Sequence, residues 1–141
     1  MPESHFYSKA MAGMPALVGQ WLMLGEATPD QLAVILADTA RVTQLGQPEA
    51  DPNGETLTAW SRGHQPPQWA SKAALFLLAQ MPQHPSPRSQ EETAAWAYTW
   101  LRLRDFSDIE SARDALPFHL REPLDEALSE AWMDMRAQRL I

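Results

Sequence analysis

Few residues of this 141-residue chain could do chemistry, and their spacing decides what each can be. There are four histidines, His5, His64, His84 and His119, and no cysteine. Without cysteine there is no thiolate zinc site, iron–sulfur cluster, disulfide or thiol nucleophile, and the composition fits a reducing compartment. His119 and Glu122 stand at i and i+3, a separation that lets two side chains meet one metal ion on a helix. Pro117 and Pro123 bracket them, however, and no third or fourth ligand is spaced to complete a set. Glu122, Glu126, Glu130 and Asp134 recur every four residues and form one strip of a helix. Paired carboxylates do acid–base work when burial drives their pKa values apart. This strip falls opposite Leu124 and Leu128, so it reads as a solvated face or, in functional terms, as a docking strip for a basic partner. No serine sits in G-x-S-x-G, and the six scattered glycines form neither a Walker loop nor a dinucleotide fingerprint. The expectation is a protein that is not an enzyme, with no catalytic residue, no cofactor and no metal.

The decapeptide from Trp60 to Trp69, WSRGHQPPQW, is the best candidate for recognition. Trp60, Arg62, His64 and Trp69 flank a rigid Pro66-Pro67 step, and aromatic and arginine anchors on a stiff backbone are what binding hot spots are made of. The competing reading is that both indoles fold inward and staple an otherwise unpaired loop to the body of the protein. The predicted partner-binding residues are therefore Trp60, Arg62, His64 and Trp69, together with Glu122, Glu126 and Glu130.

The bulk composition narrows the partner. A formal charge of −7, spread over both halves of the chain, disfavours nucleic acid, whose binding draws on basic side chains meeting phosphates. A protein partner with a basic surface is expected. The six tryptophans suit either binding anchors or large fillers of a core built on alanine, and the seven methionines suit either an adaptable surface or gap-filling.

These side chains must be positioned by helices. The organising stretch is Trp69 to Met81, in which Ala73 to Ala79 is apolar at every position. A helix greasy on all sides has to be surrounded by protein, and this one is too short for a bilayer, which needs about 20 apolar residues. The chain thus reads as one all-α domain, residues 1–141. It is a bundle of about five to six helices around a central helix at about residues 67–81. Residues 1–12 are expected to be loose, with Pro15 opening a first helix that ends at Leu24 before Gly25. Met11 to Leu24 has a faint leader-like composition, but Glu3 and the interrupting Gly13, Pro15 and Gly19 favour a helix of the mature chain.

Thr28, Pro29 and Gln31 make a capping box for a second helix, with Leu32, Ile35, Leu36, Thr39 and Val42 as its buried stripe and Gly46 as its left-handed stop. Residues 46–67 form an irregular Pro/Gly-rich segment with a short helix from about Glu55 to Ser61. Ser89 with Glu92, and Ser107 with Glu110, open two further helices, the first carrying Trp96, Trp100 and Leu103 on one face. A last helix begins near Pro123 and buries Leu124, Leu128, Ala131, Trp132 and Met135. Acidic residues lead and basic residues trail in each of the last three helices, as the helix dipole favours.

Three functions compete. The first is a small acidic cytoplasmic interaction protein (an adaptor, chaperone or immunity-type inhibitor) that needs no membrane. The second is a helical domain holding a small apolar ligand between the central helix and the Trp96/Trp100 face. The third, an enzyme built on His64 or His119 with nearby carboxylates, would need a histidine within hydrogen-bond reach of a carboxylate inside a cleft.

Overall fold

Trp96 has no exposed surface at all, and the helix that carries it is enclosed over eight consecutive residues, Ala94 to Leu101. The computed structural model describes residues 5–139, which form seven helices and no strand. In chain order these are α1 (His5–Leu24), α2 (Pro29–Val42), α3 (Gly54–Ser61), α4 (Gln68–Ala79), α5 (Gln90–Leu103), α6 (Ile109–Ala115) and α7 (Phe118–Arg139). The result is the expected all-helical bundle with one or two more helices than the sequence suggests. None of the described helices is long and apolar enough to cross a membrane.

The core has two lobes. The first gathers Leu17 and Met14 of α1, Leu75 and Leu78 of α4, Trp96 and Trp100 of α5, and Leu120, Leu124 and Leu128 of α7. The second gathers Val18 and Trp21 of α1, Leu32 and Leu36 of α2, Leu57 of α3, and Ala70, Ala73 and Ala74 of α4. Helices α1 and α4 feed both lobes and join them. Within the apolar run of α4, Ala73, Ala74, Leu75 and Leu78 are fully buried, while Phe76, Leu77 and Ala79 are half-buried. Helix α4 packs on α1, α2 and α5, so its remaining side reaches the surface. The most enclosed helix is α5, held between α1, α4 and α7.

Several boundaries differ from the sequence reading, each for a physical reason. Residues 5–12 are the first turns of α1 and not a loose tail, because Phe6 and Ala10 extend the buried face of Met14 and Leu17. Residues 1–4 lie outside the described residues. Pro15 sits mid-helix, and tertiary burial of its neighbours outweighs the hydrogen bond it removes. The buried stripe of α2 is Leu32, Ala33, Leu36, Ala37 and Ala40, whereas Ile35 and Val42 face outward.

Helix α2 is closed by Gln44 at φ +60, not by Gly46. The Leu45 N–H reaches the Ala40 carbonyl at 2.9 Å and the Gln44 N–H reaches that of Arg41 at 3.4 Å, a Schellman closure. Gly46 is needed for a different reason: a Cβ there would lie 2.3 Å from the Cβ of Trp69. The N-cap of α6 is Asp108 and not Ser107. Its carboxylate accepts the Ser111 N–H at 2.8 Å, and this hydrogen bond holds its pKa below the ordinary aspartate value. Helix α7 begins one turn before Pro123, which allows Leu120 to join the buried face.

The caps read from sequence form at α2 and α5. Thr28 and Gln31 exchange side-chain and backbone hydrogen bonds at 3.2 and 3.0 Å. The Ser89 hydroxyl accepts the Glu92 N–H at 3.1 Å, but the Glu92 carboxylate does not return to Ser89. It accepts the Arg88 N–H at 3.3 Å and turns its other oxygen inward. The tryptophans lock helices together. Trp21 Nε1 donates to the Leu32 carbonyl at 3.2 Å, joining α1 to α2, and Trp100 Nε1 donates to the Ala112 carbonyl at 2.9 Å, joining α5 to α6. Arg113 of α6 reaches α7 through Asp125 at 2.9 Å and Ser129 at 2.6 Å.

Candidate functional site

The segment from Trp60 to Trp69 closes the end of α3 and starts α4. The His64 N–H bonds the Ala59 carbonyl at 3.1 Å, and Gly63 adopts φ +119, a left-handed conformation that suits glycine. The loop therefore folds back on α3, and buried Pro66 carries it into α4. Trp60 and Trp69 meet edge to face, with centroids 5.7 Å apart and planes at 82°, and both pack on the second core lobe. The two indoles act as a staple. Arg62 and His64 stay exposed and, with Thr28, Asp30, Glu55 and Thr58, line an open groove of about 690 Å³ between α2 and α3. Asp30 also accepts the Gly54 N–H at 2.6 Å, tying the two helix starts together.

Beyond the groove, α2 carries large apolar side chains on its outward face. Ile35 is 41% exposed, Val34 37% and Val42 82%, on the side away from buried Leu32 and Leu36. The charged groups around it are mostly acidic: Asp30, Asp38, Asp51 and Glu55 are all exposed. Arg41 bridges Asp51 at 2.7 Å and Asp38 at 3.0 Å, and these contacts raise its pKa. Helix α2 thus has one apolar side inside the bundle and, on its outer side, exposed apolar side chains set among acidic ones.

The acidic strip of α7 is elsewhere. Glu122, Glu126 and Glu130 are exposed, and Glu126 and Glu130 border a separate groove with Lys9 and Arg88. The structure does not bring this strip together with Arg62 and His64. His119 stacks on His84, with ring centroids 4.7 Å apart and planes at 13°, and its Nε2 lies 3.2 Å from the Pro85 carbonyl. No sequence spacing pointed to that pair, because a left-handed turn at His84, φ +53, swings the loop onto α7.

Beside α4 lies a cavity of about 490 Å³ walled by Leu45, Phe76, Ala79, Trp100 and Leu103, with Arg104 also on its wall. The sequence reading places a ligand between the central helix and the Trp96/Trp100 face, and of those two tryptophans Trp100 lines this cavity. Trp96 does not line it, being fully enclosed, and its Nε1 has no hydrogen-bond partner among the described residues. No tryptophan ring is exposed: Trp21, Trp96 and Trp100 are buried, and Trp60, Trp69 and Trp132 are half-buried. Compared with known proteins, the chain matches no family model, no curated protein and no solved structure.

Proposed function

We propose that this chain is a small acidic interaction protein of the adaptor, chaperone or immunity-inhibitor kind, and that its partner docks on the outer face of α2 and the adjoining groove. One observation carries the reading: α2 keeps Ile35 and Val42 in water although its other side already supplies Leu32 and Leu36 to the core. Ile35 and Val42 stand two turns apart on one outward side, and exposed apolar side chains rimmed by polar residues mark interaction sites. The rim of Asp30, Asp38, Asp51 and Glu55 favours a partner with a basic surface, and long-range attraction of that kind raises the association rate and makes it salt-dependent. Arg62 and His64 at the groove add polar contacts that fix register.

The test is affinity capture from the native host with four proteins: wild type, Val42→Glu, Arg62→Glu, and Phe118→Glu as a control on exposed α7. The expected result is a partner retained by wild type and Phe118→Glu and lost from the two site variants, with unchanged melting temperatures. A partner retained by all four would overturn this site.

The cavity at Trp100 favours a second reading, a small apolar ligand held between α4 and α5. Its walls come from several elements, and clefts between bundle helices are frequent ligand sites. Filling the cavity with Ala79→Phe would abolish such binding, and Trp100 fluorescence would report it.

A further inference from the structure

The first turns of α7 send two side chains into water. Leu120 turns into the core and His119 stacks on His84. Arg121 folds back to the Leu116 and Asp114 carbonyls at 3.3 and 3.1 Å. Phe118 is 87% exposed, more than any other large apolar side chain among the described residues. Glu122 stands four residues on, so it shares that side of the helix, and it is exposed too. A phenyl ring left in water forgoes most of the burial energy it could gain.

Phe118 directly follows Pro117, which lines the cavity beside Trp100. An apolar knob thus stands at the rim of an apolar hole, and its exposure shows that it does not fill the hole of its own chain. The hole offers about 490 Å³ between Leu45, Phe76, Ala79 and Leu103. An enclosed cavity of roughly 150 Å³ is enough to hold benzene, so a phenyl ring fits with room to spare. Its walls carry one charged side chain among the described residues, the exposed Arg104, whose guanidinium lies 5.3 Å from the Phe106 ring centroid. Asp105 borders a neighbouring cleft instead. The ion pairs among the described residues engage neither Arg104 nor Glu122. One face therefore presents a ring beside an acid and a hole beside a base.

We infer that this face binds a second copy of the chain about a twofold axis. Each Phe118 ring enters the other copy's cavity, and each Glu122 meets the other copy's Arg104. A twofold axis makes both contacts twice, because the surface is its own complement. The buried rings supply the affinity, while the exposed charge pairs fix orientation and add little energy. The dimer rests on the second reading of function, in which the cavity admits an apolar group, and makes that group a side chain of another copy. Two bodies of charge −7 repel at long range, but physiological salt screens such repulsion beyond about 8 Å.

The test is sedimentation equilibrium of the full-length chain from about 1 µM to about 1 mM, in about 0.15 M salt. Wild type should pass reversibly from monomer to dimer. Phe118→Ala should raise the dimer dissociation constant about hundredfold, on the order of tenfold for each of the two rings withdrawn. Arg104→Glu and Glu122→Arg should each weaken the dimer several-fold by facing like charges. An equimolar mixture of those two variants should regain wild-type association, because the mixed dimer has opposite charges at both contacts. A chain that stays monomeric, a dimer indifferent to Phe118→Ala, or a mixture no tighter than its components would overturn the dimer. Naphthalene, followed by amide NMR, separates this outcome from failure of the ligand reading. Saturable shifts at Ala79 and Leu103 in a chain that stays monomeric would sink the dimer alone, and neither dimer nor shifts would sink both.

Discussion

The side-chain amide of Gln20 in α1 donates to the carboxylate of Glu92 in α5, and both residues are 2% exposed. The same amide donates to the Ser86 carbonyl at 2.9 Å, so one side chain holds α1, the loop before α5 and the first turn of α5. Arg88 Nε lies 3.5 Å from the other carboxylate oxygen. A buried carboxylate that loses a donor keeps its desolvation cost. Gln20→Ala should therefore cost about 2–3 kcal/mol, read by urea denaturation, with Glu92→Gln costing less because the amide retains an acceptor.

Gly13 is where α1 touches the start of α5. A Cβ at that position would stand 2.1 Å from the Glu91 carbonyl oxygen and 2.8 Å from the Glu92 nitrogen, and neither is a side-chain atom that can rotate away. Gly13→Ala should destabilise by about 3 kcal/mol even though alanine is the better helix former. A thermal melt equal to wild type would show that the two helices can separate without loss.

Trp96 and Trp100 occupy adjacent turns of α5 with opposite polar outcomes. Trp100 Nε1 has its acceptor on Ala112, while Trp96 Nε1 has none. Replacement by phenylalanine removes a satisfied donor at Trp100 and an unsatisfied one at Trp96. Trp96→Phe should then cost about 1 kcal/mol less than Trp100→Phe, measured side by side in urea.

Lys72 makes a pH-dependent prediction. Its folded pKa lies below the ordinary lysine value of 10.5, chiefly through desolvation and then through Arg102. Between those two values the unfolded chain binds more protons, so this residue makes stability rise with pH across that window. Lys72→Met should melt at a higher temperature than wild type at pH 7, and the gap should narrow as the pH rises toward and past 10.5. Tyr98, whose pKa burial raises, contributes the opposite slope above its ordinary value, but it is present in both proteins and drops out of the difference. A gap that does not change with pH would show that the ammonium gains nothing by losing its proton.

The helices themselves were legible because their signals are local. Thr28 with Gln31, Ser89 with Glu92, and the run around Leu75 all act within one or two turns, and each forms a helix where it was read. Those short-range rules failed where a distant segment supplied more free energy. Pro15 would end a helix by its own chemistry, yet Phe6 and Ala10 are buried on α5 and α7 and carry α1 through it. Of the predicted site, Arg62 and His64 stand at a groove, whereas Trp60 and Trp69 are drawn to each other and to α4.

What the amino-acid order alone determined is the class of fold, the starts of α2 and α5 and the acidic character of the chain, since period, caps and charge are properties of neighbours in the chain. Which side of α2 is dry, which acceptor Glu92 holds and which cations meet at Lys72 belong to the tertiary structure. Leu32 and Ile35 are both apolar and nearly interchangeable by pattern, and the packing of α3 and α4 against one side leaves the other in water. Gln20 and Glu92 are far apart in sequence, and no spacing rule links them until α1 and α5 close on each other through Gly13.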